Sequence, residues 1–312
     1  MKSAPEKCVV CGVEGKQQVW NNMGVLRCSN CGLAWRTLFD ISTDYYTDLH
    51  VGESGVGEEK SITRLHNAED RLVSLKKFLP QSGVCDIGCG DGSFLSVLKN
   101  ADYRESWGIE PSTYAYSVAS KKGLEVVRGD LSDLLREKQG KMLKALTLFH
   151  VIEHVPNPLD VFQTLREALP LGGILVLETP DADAAIQKIT NHENALVYDE
   201  HLFYWTERSL RKALEQSGFR ILKVSHRSFD WQHASLLSSL MRLGVIRRRL
   251  AHGSSVDHGD SSNRVSSRQP TSLDEQMSSE GSLLRRFVRK MLAHAVHLLR
   301  RDDYLLVVAE RL

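Results

Sequence analysis

Short apolar runs alternate with helical stretches through the centre of the chain. Strands that are apolar on both faces are typical of a parallel sheet covered by helices on each side. The first five runs are GVCDIG at 83–88, SWGIEP at 106–111, LEVVRGD at 124–130, ALTLFHV at 145–151 and GILVLETP at 173–180. Two more, at 219–227 and 303–311, complete seven predicted strands. The pattern predicts an α/β fold with a doubly wound, Rossmann-like sheet.

A helical pattern precedes this region. Apolar residues recur at helical spacing over 58–79, and Pro80 follows. Because proline disfavours helical backbone in the residue before it, we expect the helix to end there. We assign 43–80 to a linker and this helix, and 81–312 to the main domain. Another helix is expected over 206–218.

Four cysteines in two close pairs mark the N-terminal segment, 1–42. Cys8 and Cys11 belong to C-V-V-C-G, and Cys28 and Cys31 belong to C-S-N-C-G. Two such knuckles supply four thiolates for a tetrahedral structural Zn²⁺, and each glycine lets backbone N–H groups turn toward sulfur. Disulfides are one alternative, and a reducing cytoplasm disfavours them. A redox C-x-x-C pair is the other, and it is disfavoured because two matched pairs occur without a thioredoxin-like strand and helix around them. We predict a zinc ribbon.

A basic insert is predicted at about 232–301. Ten serines and almost no apolar residues over 253–282 predict disorder, between amphipathic helices at 233–250 and 283–299. Over 241–301 twelve basic residues face five acidic ones, a net +7 within a chain of net +1. Such a segment can lie on an anionic membrane surface or pack as a lid.

The N-terminus lacks an apolar signal core, and no stretch approaches the roughly 20 apolar residues of a membrane span. We therefore predict a cytoplasmic protein, with peripheral contact at the inner membrane face through the insert as a further hypothesis. The sequence makes no prediction of oligomeric state.

The most informative motif is VCDIGCGDGSF. Asp86 ends a strand, and Gly88, Gly90 and Gly92 alternate before a helix. Glycines at these positions let the backbone turn sharply and approach a ligand, and the helix N-terminus offers unpaired N–H donors. Glu110, after the next strand, is placed to accept hydrogen bonds from ribose hydroxyls. The spacing differs from the G-x-G-x-x-G of dinucleotide sites.

These motifs resemble the class I S-adenosylmethionine (SAM) dependent methyltransferases over residues 58–230 and the last ten residues. The resemblance implies SAM as cofactor and an antiparallel last strand. Asp86 and the three glycines match the first motif, Glu110 the ribose-binding acid, Asp130 the residue near the adenine amino group, and His150 the segment flanking the methyl donor. A Rossmann-like domain for another nucleotide is the alternative.

The methyl acceptor is expected beyond the fourth and fifth strands. Histidine titrates near neutral pH, so His154 and His201 are the candidate catalytic bases, with packed structural histidines as the alternative. The other residues expected around the acceptor are His150, Glu153, Thr179, Asp181, Phe203, Tyr204 and Trp205.

The string H-x-x-E-H at 150–154 raises the question of a metal at this site. Quinone O-methyltransferases hold magnesium with a carboxylate at the first position, where this chain has His150, a poor ligand for a hard cation. The resemblance to quinone O-methyltransferases therefore does not imply metal-assisted catalysis in this chain. An inverted zinc-protease motif is disfavoured, because the string follows a strand rather than lying on a helix.

A zinc ribbon before a methyltransferase domain resembles bacterial sugar C-methyltransferases and also ribosomal RNA guanine methyltransferases. The ribbon is only weakly basic, and the N/D-P-P-Y/F motif of base-directed enzymes is missing after the fourth strand. We therefore expect a small-molecule or lipid-linked acceptor, such as a polysaccharide precursor, methylated at oxygen or carbon. An RNA methyltransferase and a non-catalytic SAM-binding regulatory protein remain alternatives.

Overall fold

The computed structural model describes residues 2–39, 58–193, 197, 200–227 and 303–312. The predicted linker at 43–57 and the basic insert at 232–301 lie outside these residues. Among the described residues, no helix is both long and apolar enough to cross a membrane.

The N-terminal 39 residues form short strands around the four cysteines, and we call residues 2–39 the ribbon. Its elements are β1 (Lys2–Ser3), β2 (Gly15–Trp20), β3 (Met23–Cys28), β4 (Ala34–Arg36) and β5 (Leu38–Phe39).

The main domain alternates strands and helices as its apolar pattern predicts. Its elements are α1 (Glu58–Leu75), β6 (Val84–Ile87), α2 (Ser93–Asn100), β7 (Trp107–Glu110), α3 (Thr113–Lys121), β8 (Val126–Arg128), α4 (Leu134–Glu137), β9 (Ala145–Phe149), α5 (Pro158–Ala168), β10 (Ile174–Pro180), α6 (Ala185–Ile189), β11 (Phe203–Tyr204), α7 (Glu207–Gln216), β12 (Phe219–Arg227) and β13 (Tyr304–Arg311).

The seven predicted strands form one sheet in the order β12-β13-β10-β9-β6-β7-β8. Strands β8, β7, β6, β9 and β10 pair in parallel, and β13 runs antiparallel to both β10 and β12. This confirms the predicted fold class and the antiparallel last strand. The carboxyl ends of the parallel strands meet at one edge, where ligands bind in open α/β sheets.

Both faces of the sheet are buried. Leu146, Leu148 and Leu177 pack with Phe162 of α5 on one face, while Val176 and other side chains pack against α1 and α2 on the other. Each of these leucines is 0% exposed. Two-sided burial explains why the strands are continuous apolar runs rather than alternating ones.

Helix α1 ends at Leu75, four residues before the predicted end. The backbone N–H groups of Phe78 and Leu79 both donate to the Leu75 carbonyl, which closes a turn before Pro80. Leu79 is nevertheless buried, so its place in the apolar pattern reflects packing rather than helix.

The ribbon sheet takes one strand from the main domain. Its order is β11-β4-β3-β2, and β11 pairs antiparallel with β4. The ribbon, predicted as a separate unit over 1–42, therefore shares a sheet with residues more than 160 positions along the chain. The sequence contains no local signal for this pairing, because β11 has only two residues.

Candidate active site and metal centre

The glycine-rich turn after β6 has the conformation that its sequence predicts. Gly88, Gly90 and Gly92 have φ of 67°, 57° and 75°, in the left-handed region that favours glycine. A Cβ at Gly88 would lie 2.7 Å from Val151, and one at Gly92 would overlap Leu124. A Cβ at Gly90 would meet nothing within 4 Å. The turn is tightly packed from beneath and leaves open space above Gly90, as a cradle for a ligand requires.

Glu110 lies beside this cradle at the end of β7. Its Oε2 accepts a hydrogen bond of 2.7 Å from the Gly90 N–H, and its Oε1 accepts one of 2.8 Å from the Ser112 N–H. Burial raises the pKa of Glu110, although the two N–H donors oppose that shift. Each oxygen has a second lone pair for a hydroxyl donor, which fits the expected contact with ribose.

Asp86 is buried beneath the turn. Its Oδ1 accepts a 2.6 Å hydrogen bond from the Thr147 hydroxyl on the neighbouring strand β9. Burial raises the pKa of Asp86 to about 7. Asp86 therefore links strands β6 and β9 below the glycine turn.

Asp130 lies just beyond β8, where the resemblance places the adenine contact. It is exposed, and its Oδ1 accepts a 2.7 Å hydrogen bond from the Ser132 N–H at the start of a 3₁₀ turn, Leu131–Asp133. The Gly129 N–H donates to the Glu110 carbonyl at 3.1 Å, which joins this turn to the end of β7. Asp130 thus lies at the predicted edge, with one oxygen engaged in capping.

His150 follows β9 in a left-handed backbone conformation, with φ of 58°. Its Nδ1 lies 3.4 Å from Glu153 Oε1, and its Nε2 lies 3.2 Å from Glu178 Oε1. Burial alone would lower the pKa of His150, but the two carboxylates outweigh it and raise that pKa to about 9. The predicted cofactor-side histidine is therefore held between two buried acids.

Glu178 and Arg71, which belong to the same group of ion pairs, are not among the site residues predicted from the sequence. Glu178 on β10 pairs with Arg71 of α1, and its Oε2 lies 3.8 Å from Arg227 Nη1 on β12. The Arg71 guanidinium also lies 4.5 Å from the centre of the Phe149 ring. Glu178 lies within an otherwise apolar strand, and Arg71 lies on a helix with many charged residues. A carboxylate within an apolar run is unusual, so Glu178 could have been predicted as a site residue from the sequence, whereas Arg71 could not.

The two candidate catalytic histidines lie side by side. The ring centres of His154 and His201 are 4.8 Å apart, and His201 is buried. His154 Nδ1 lies 3.1 Å from the Glu200 carbonyl oxygen. The neighbouring Glu153 Oε2 accepts a 3.0 Å hydrogen bond from the Thr179 hydroxyl. The fold thus brings the two histidines together with Glu153.

Glu153 is a carboxylate in this environment. Although burial favours its neutral form, the hydrogen bond from His150 and the nearby His154 ring lower the pKa of Glu153 to about 2. Residues 152–154 form a turn rather than a helix, which excludes the inverted zinc-protease geometry for H-x-x-E-H.

The aromatic residues expected around the acceptor lie in the core instead. Phe203, Tyr204 and Trp205 are each at most 3% exposed. Phe203 packs edge-on against Phe39 of the ribbon, and Trp205 packs against Phe162 of α5. In this structure the three side chains pack in the apolar interior on both sides of the segment.

The four ribbon cysteines converge as predicted. Sγ of Cys8 lies 3.5 Å from Sγ of Cys31, and Sγ of Cys11 lies 3.2 Å and 3.8 Å from those of Cys28 and Cys31. Bonds of about 2.3 Å in a tetrahedron separate sulfurs by about 3.8 Å, whereas a disulfide needs about 2.05 Å. All four thiols are free. The donor set and its spacing fit a structural Zn²⁺.

The ribbon also forms hydrogen bonds with the segment that contains His201. The Thr206 hydroxyl donates to the Cys31 carbonyl at 3.0 Å, and the Arg36 N–H donates to the Leu202 carbonyl at 3.0 Å. From the other side, the Leu202 N–H donates to the Glu153 carbonyl at 2.9 Å. His201 therefore lies between the cysteine cluster and the loop after β9.

Comparison with known proteins agrees with this geometry. The family model described as methyltransferase domain matches residues 64–224. A tRNA U34 carboxymethyltransferase of Vibrio atlanticus is 29% identical over 187 residues, covering 54% of this chain and 57% of that protein. A ubiquinone biosynthesis O-methyltransferase of Xanthomonas campestris pv. campestris is 29% identical over 129 residues, covering 39% and 53%. The chain thus matches little more than half the length of these relatives.

Among solved structures, a SAM dependent methyltransferase from Archaeoglobus fulgidus shares the fold. Its TM-score is 0.50 at 15% sequence identity, and the match covers 79% of this chain and 94% of that one. The family match spans more than half of the chain and includes the glycine turn, Glu110 and the histidine pair. The chain belongs to the methyltransferase domain family, as its motifs predict.

Proposed function

We propose that the protein transfers a methyl group from SAM to a small-molecule or lipid-linked acceptor, at oxygen or carbon. The observation that carries this proposal is the cradle above Gly90, flanked by a Glu110 carboxylate with lone pairs available to ribose hydroxyls. Gly88, Gly92 and Asp86 shape the turn, and Asp130 lies where the adenine would be bound. His150 borders the methyl donor.

In this proposal the protein aligns an acceptor with the sulfonium methyl group. The acceptor atom forms a bond to the methyl carbon as the carbon–sulfur bond breaks, and S-adenosylhomocysteine leaves. If the acceptor is a hydroxyl, its proton must be removed, and His154 and His201 are the groups placed to assist. The buried carboxylate of Glu153 stabilises positive charge on these rings.

A small acceptor is favoured over RNA by the charge at the acceptor edge. Glu153, Glu178 and Asp181 are buried there and pair with His150, Arg71 and His226, so these cations are engaged by carboxylates rather than available to phosphate. Arg27, one of the few basic groups of the ribbon, pairs with Asp183 at 2.9 Å rather than standing ready for phosphate. RNA remains the second candidate, because the relatives include a tRNA carboxymethyltransferase.

Labelled methyl transfer distinguishes these acceptors. The full chain is incubated with methyl-labelled SAM and a fractionated cell extract, with Glu110→Ala as the cofactor-binding control. We expect label in the small polar or lipid fraction. Label in RNA would support the second candidate. SAM binding with slow hydrolysis and no labelled acceptor would identify a non-catalytic SAM-binding regulatory protein.

The cytoplasmic location and the inner-membrane contact stay predictions. The membrane contact rests on the net charge of +7 over 241–301, which lies outside the described residues. We expect the full chain to co-sediment with anionic vesicles and a chain lacking 241–301 to remain in the supernatant. Equal sedimentation of the two chains would contradict the membrane hypothesis and leave the alternative prediction that the insert packs as a lid.

A further inference from the structure

Two distant segments bring three metal-ligating side chains together beside the acceptor edge. Glu153 and His154 lie in the turn after β9, and His201 lies just before β11. One ligand atom from each lies within 4.8 Å of the other two. We propose that Glu153, His154 and His201 bind a divalent ion such as Mn²⁺, Fe²⁺ or Zn²⁺, separate from the ion of the cysteine cluster.

The hydrogen bonds around these side chains orient them for an ion. A carbonyl oxygen only accepts, so His154 Nδ1 carries the proton toward Glu200 and Nε2 keeps the lone pair. The Thr179 hydroxyl donates to one oxygen of Glu153. Metal-binding histidines and carboxylates are usually fixed by such outer hydrogen bonds to carbonyls and hydroxyls.

The spacing and the chemistry of the ligands define the kind of ion. Bonds of about 2.0–2.2 Å in a tetrahedron separate ligand atoms by about 3.3–3.6 Å, so side chains whose ligand atoms lie within 4.8 Å need to close by up to about 1.5 Å. Two imidazoles with one carboxylate suit Fe²⁺, Mn²⁺ or Zn²⁺ better than Mg²⁺.

This ligand set differs from the magnesium site of the quinone enzymes. That site uses a carboxylate at the first position of the H-x-x-E-H segment, where this chain has His150. Both ring nitrogens of His150 face the carboxylates of Glu153 and Glu178 instead. The third ligand here is His201, and the ribbon holds its segment in place through Leu202 and Thr206.

The inference rests on the proposed function and narrows it to oxygen acceptors. An acceptor hydroxyl that enters a free coordination position loses its proton to solvent more readily. The resulting oxygen attacks the methyl carbon of SAM, the carbon–sulfur bond breaks, and S-adenosylhomocysteine leaves. In this arrangement the two histidines are ligands, and the ion replaces an imidazole base.

Manganese binding tests the site without relying on activity. Mn²⁺ is titrated into the zinc-loaded full chain and the free ion is measured by its electron paramagnetic resonance signal, because Mn²⁺ competes poorly for thiolates. We expect about one bound ion, with echo modulation from imidazole nitrogens. His201→Ala and Glu153→Gln should remove this binding, and Thr179→Val should weaken it by about 10–100-fold.

A matched histidine variant and a second substitution complete the test. His66→Ala, on the exposed face of α1, should bind Mn²⁺ like the wild type. His201→Gln keeps the side-chain volume if His201→Ala does not fold. Wild-type protein without bound Mn²⁺, or binding that survives both His201→Gln and Glu153→Gln, would overturn the proposal.

SAM titration of the same samples separates the two proposals. Protein that binds SAM but not Mn²⁺ would refute the metal site and leave the methyltransferase function standing. Protein that binds Mn²⁺ at these residues but not SAM would refute the function and leave the metal site standing.

Discussion

The cofactor edge and the acceptor edge of the sheet are assembled in different ways. Around the glycine turn, the hydrogen bonds that place Glu110 come from Gly90 and Ser112, close along the chain, while Thr147 and Val151 support the turn from below. At the acceptor edge, Arg71, Glu153, Glu178 and His201 come from separate elements spread over 130 residues. The first edge is a local motif, whereas the second exists only in the folded chain.

The ribbon widens this difference. It contributes nothing to the described contacts of the glycine turn, but its strand β4 pairs with β11, two residues beyond His201. Thr206 and Leu202 bond to Cys31 and Arg36 on the ribbon side. We infer that the ribbon serves chiefly to position the acceptor edge.

Removing the acceptor-side histidine should have the largest effect. We expect His201→Ala to lower turnover by about 10²–10⁴-fold, because the change removes assistance to proton removal whether His201 takes the proton itself or holds the proposed ion. SAM affinity should stay within about twofold, because the hydrogen bonds that place Glu110 come from Gly90 and Ser112 rather than from His201. Steady-state kinetics and SAM calorimetry measure the two quantities. Unchanged turnover would remove His201 from the mechanism.

The complementary change at the cofactor edge should act on SAM affinity. Glu110→Ala removes a carboxylate that orders the turn and is proposed to bind two hydroxyls. Hydrogen bonds to a charged group contribute about 1.5–3 kcal/mol each, so we expect SAM affinity to fall by about 100-fold or more. Glu167→Gln, on the exposed face of α5, is the control for calorimetry. Equal affinities in the two variants would contradict the ribose contact.

The acceptor edge should also depend on pH through His226. This half-buried side chain lies 3.3 Å from Asp181 and 3.0 Å from Glu207, and its pKa is raised chiefly by the Asp181 hydrogen bond. Because the pKa of His226 is higher in the folded than in the unfolded protein, its protonation stabilises the fold fully at pH values below the unfolded-state pKa of about 6.5. This stabilisation is lost as the pH rises through the folded-state pKa.

We therefore expect His226→Gln to unfold more easily than the wild type at pH 6, by about 1–2 kcal/mol, with a smaller gap at pH 9. Urea unfolding at the two pH values measures this difference. A gap that stays constant or grows with pH would show that the ion pairs of His226 do not contribute as described.

The ion pair between Arg27 of the ribbon and Asp183 of the main domain should have the smallest effect on stability. Arg27 and Asp183 are both partly exposed, and such pairs contribute about 0.2–1 kcal/mol. We expect Arg27→Ala to lower the free energy of unfolding by less than about 1 kcal/mol and to leave residues 200–206 ordered. Loss of amide protection there would mean that charge rather than strand pairing holds the ribbon.

The same contrast explains what the sequence predicted. Seven strands, the glycine turn, Glu110 and the cysteine cluster follow from local periodicity and spacing, and the structure agrees with each. The ion pairs of Glu178 and the proximity of Glu153, His154 and His201 depend on tertiary packing. The burial of Phe203 and Trp205 shows how an aromatic run near a site can belong to the core.

Hydrogen exchange in Cys31→Ser tests the division between the two edges most directly. Losing one thiolate weakens the predicted zinc site, and strand β4 then has less support for β11. We predict faster amide exchange across 200–206, with exchange across 84–112 unchanged. Unchanged protection at 200–206, or equal loss at both edges, would contradict the claim that the ribbon positions the acceptor edge alone.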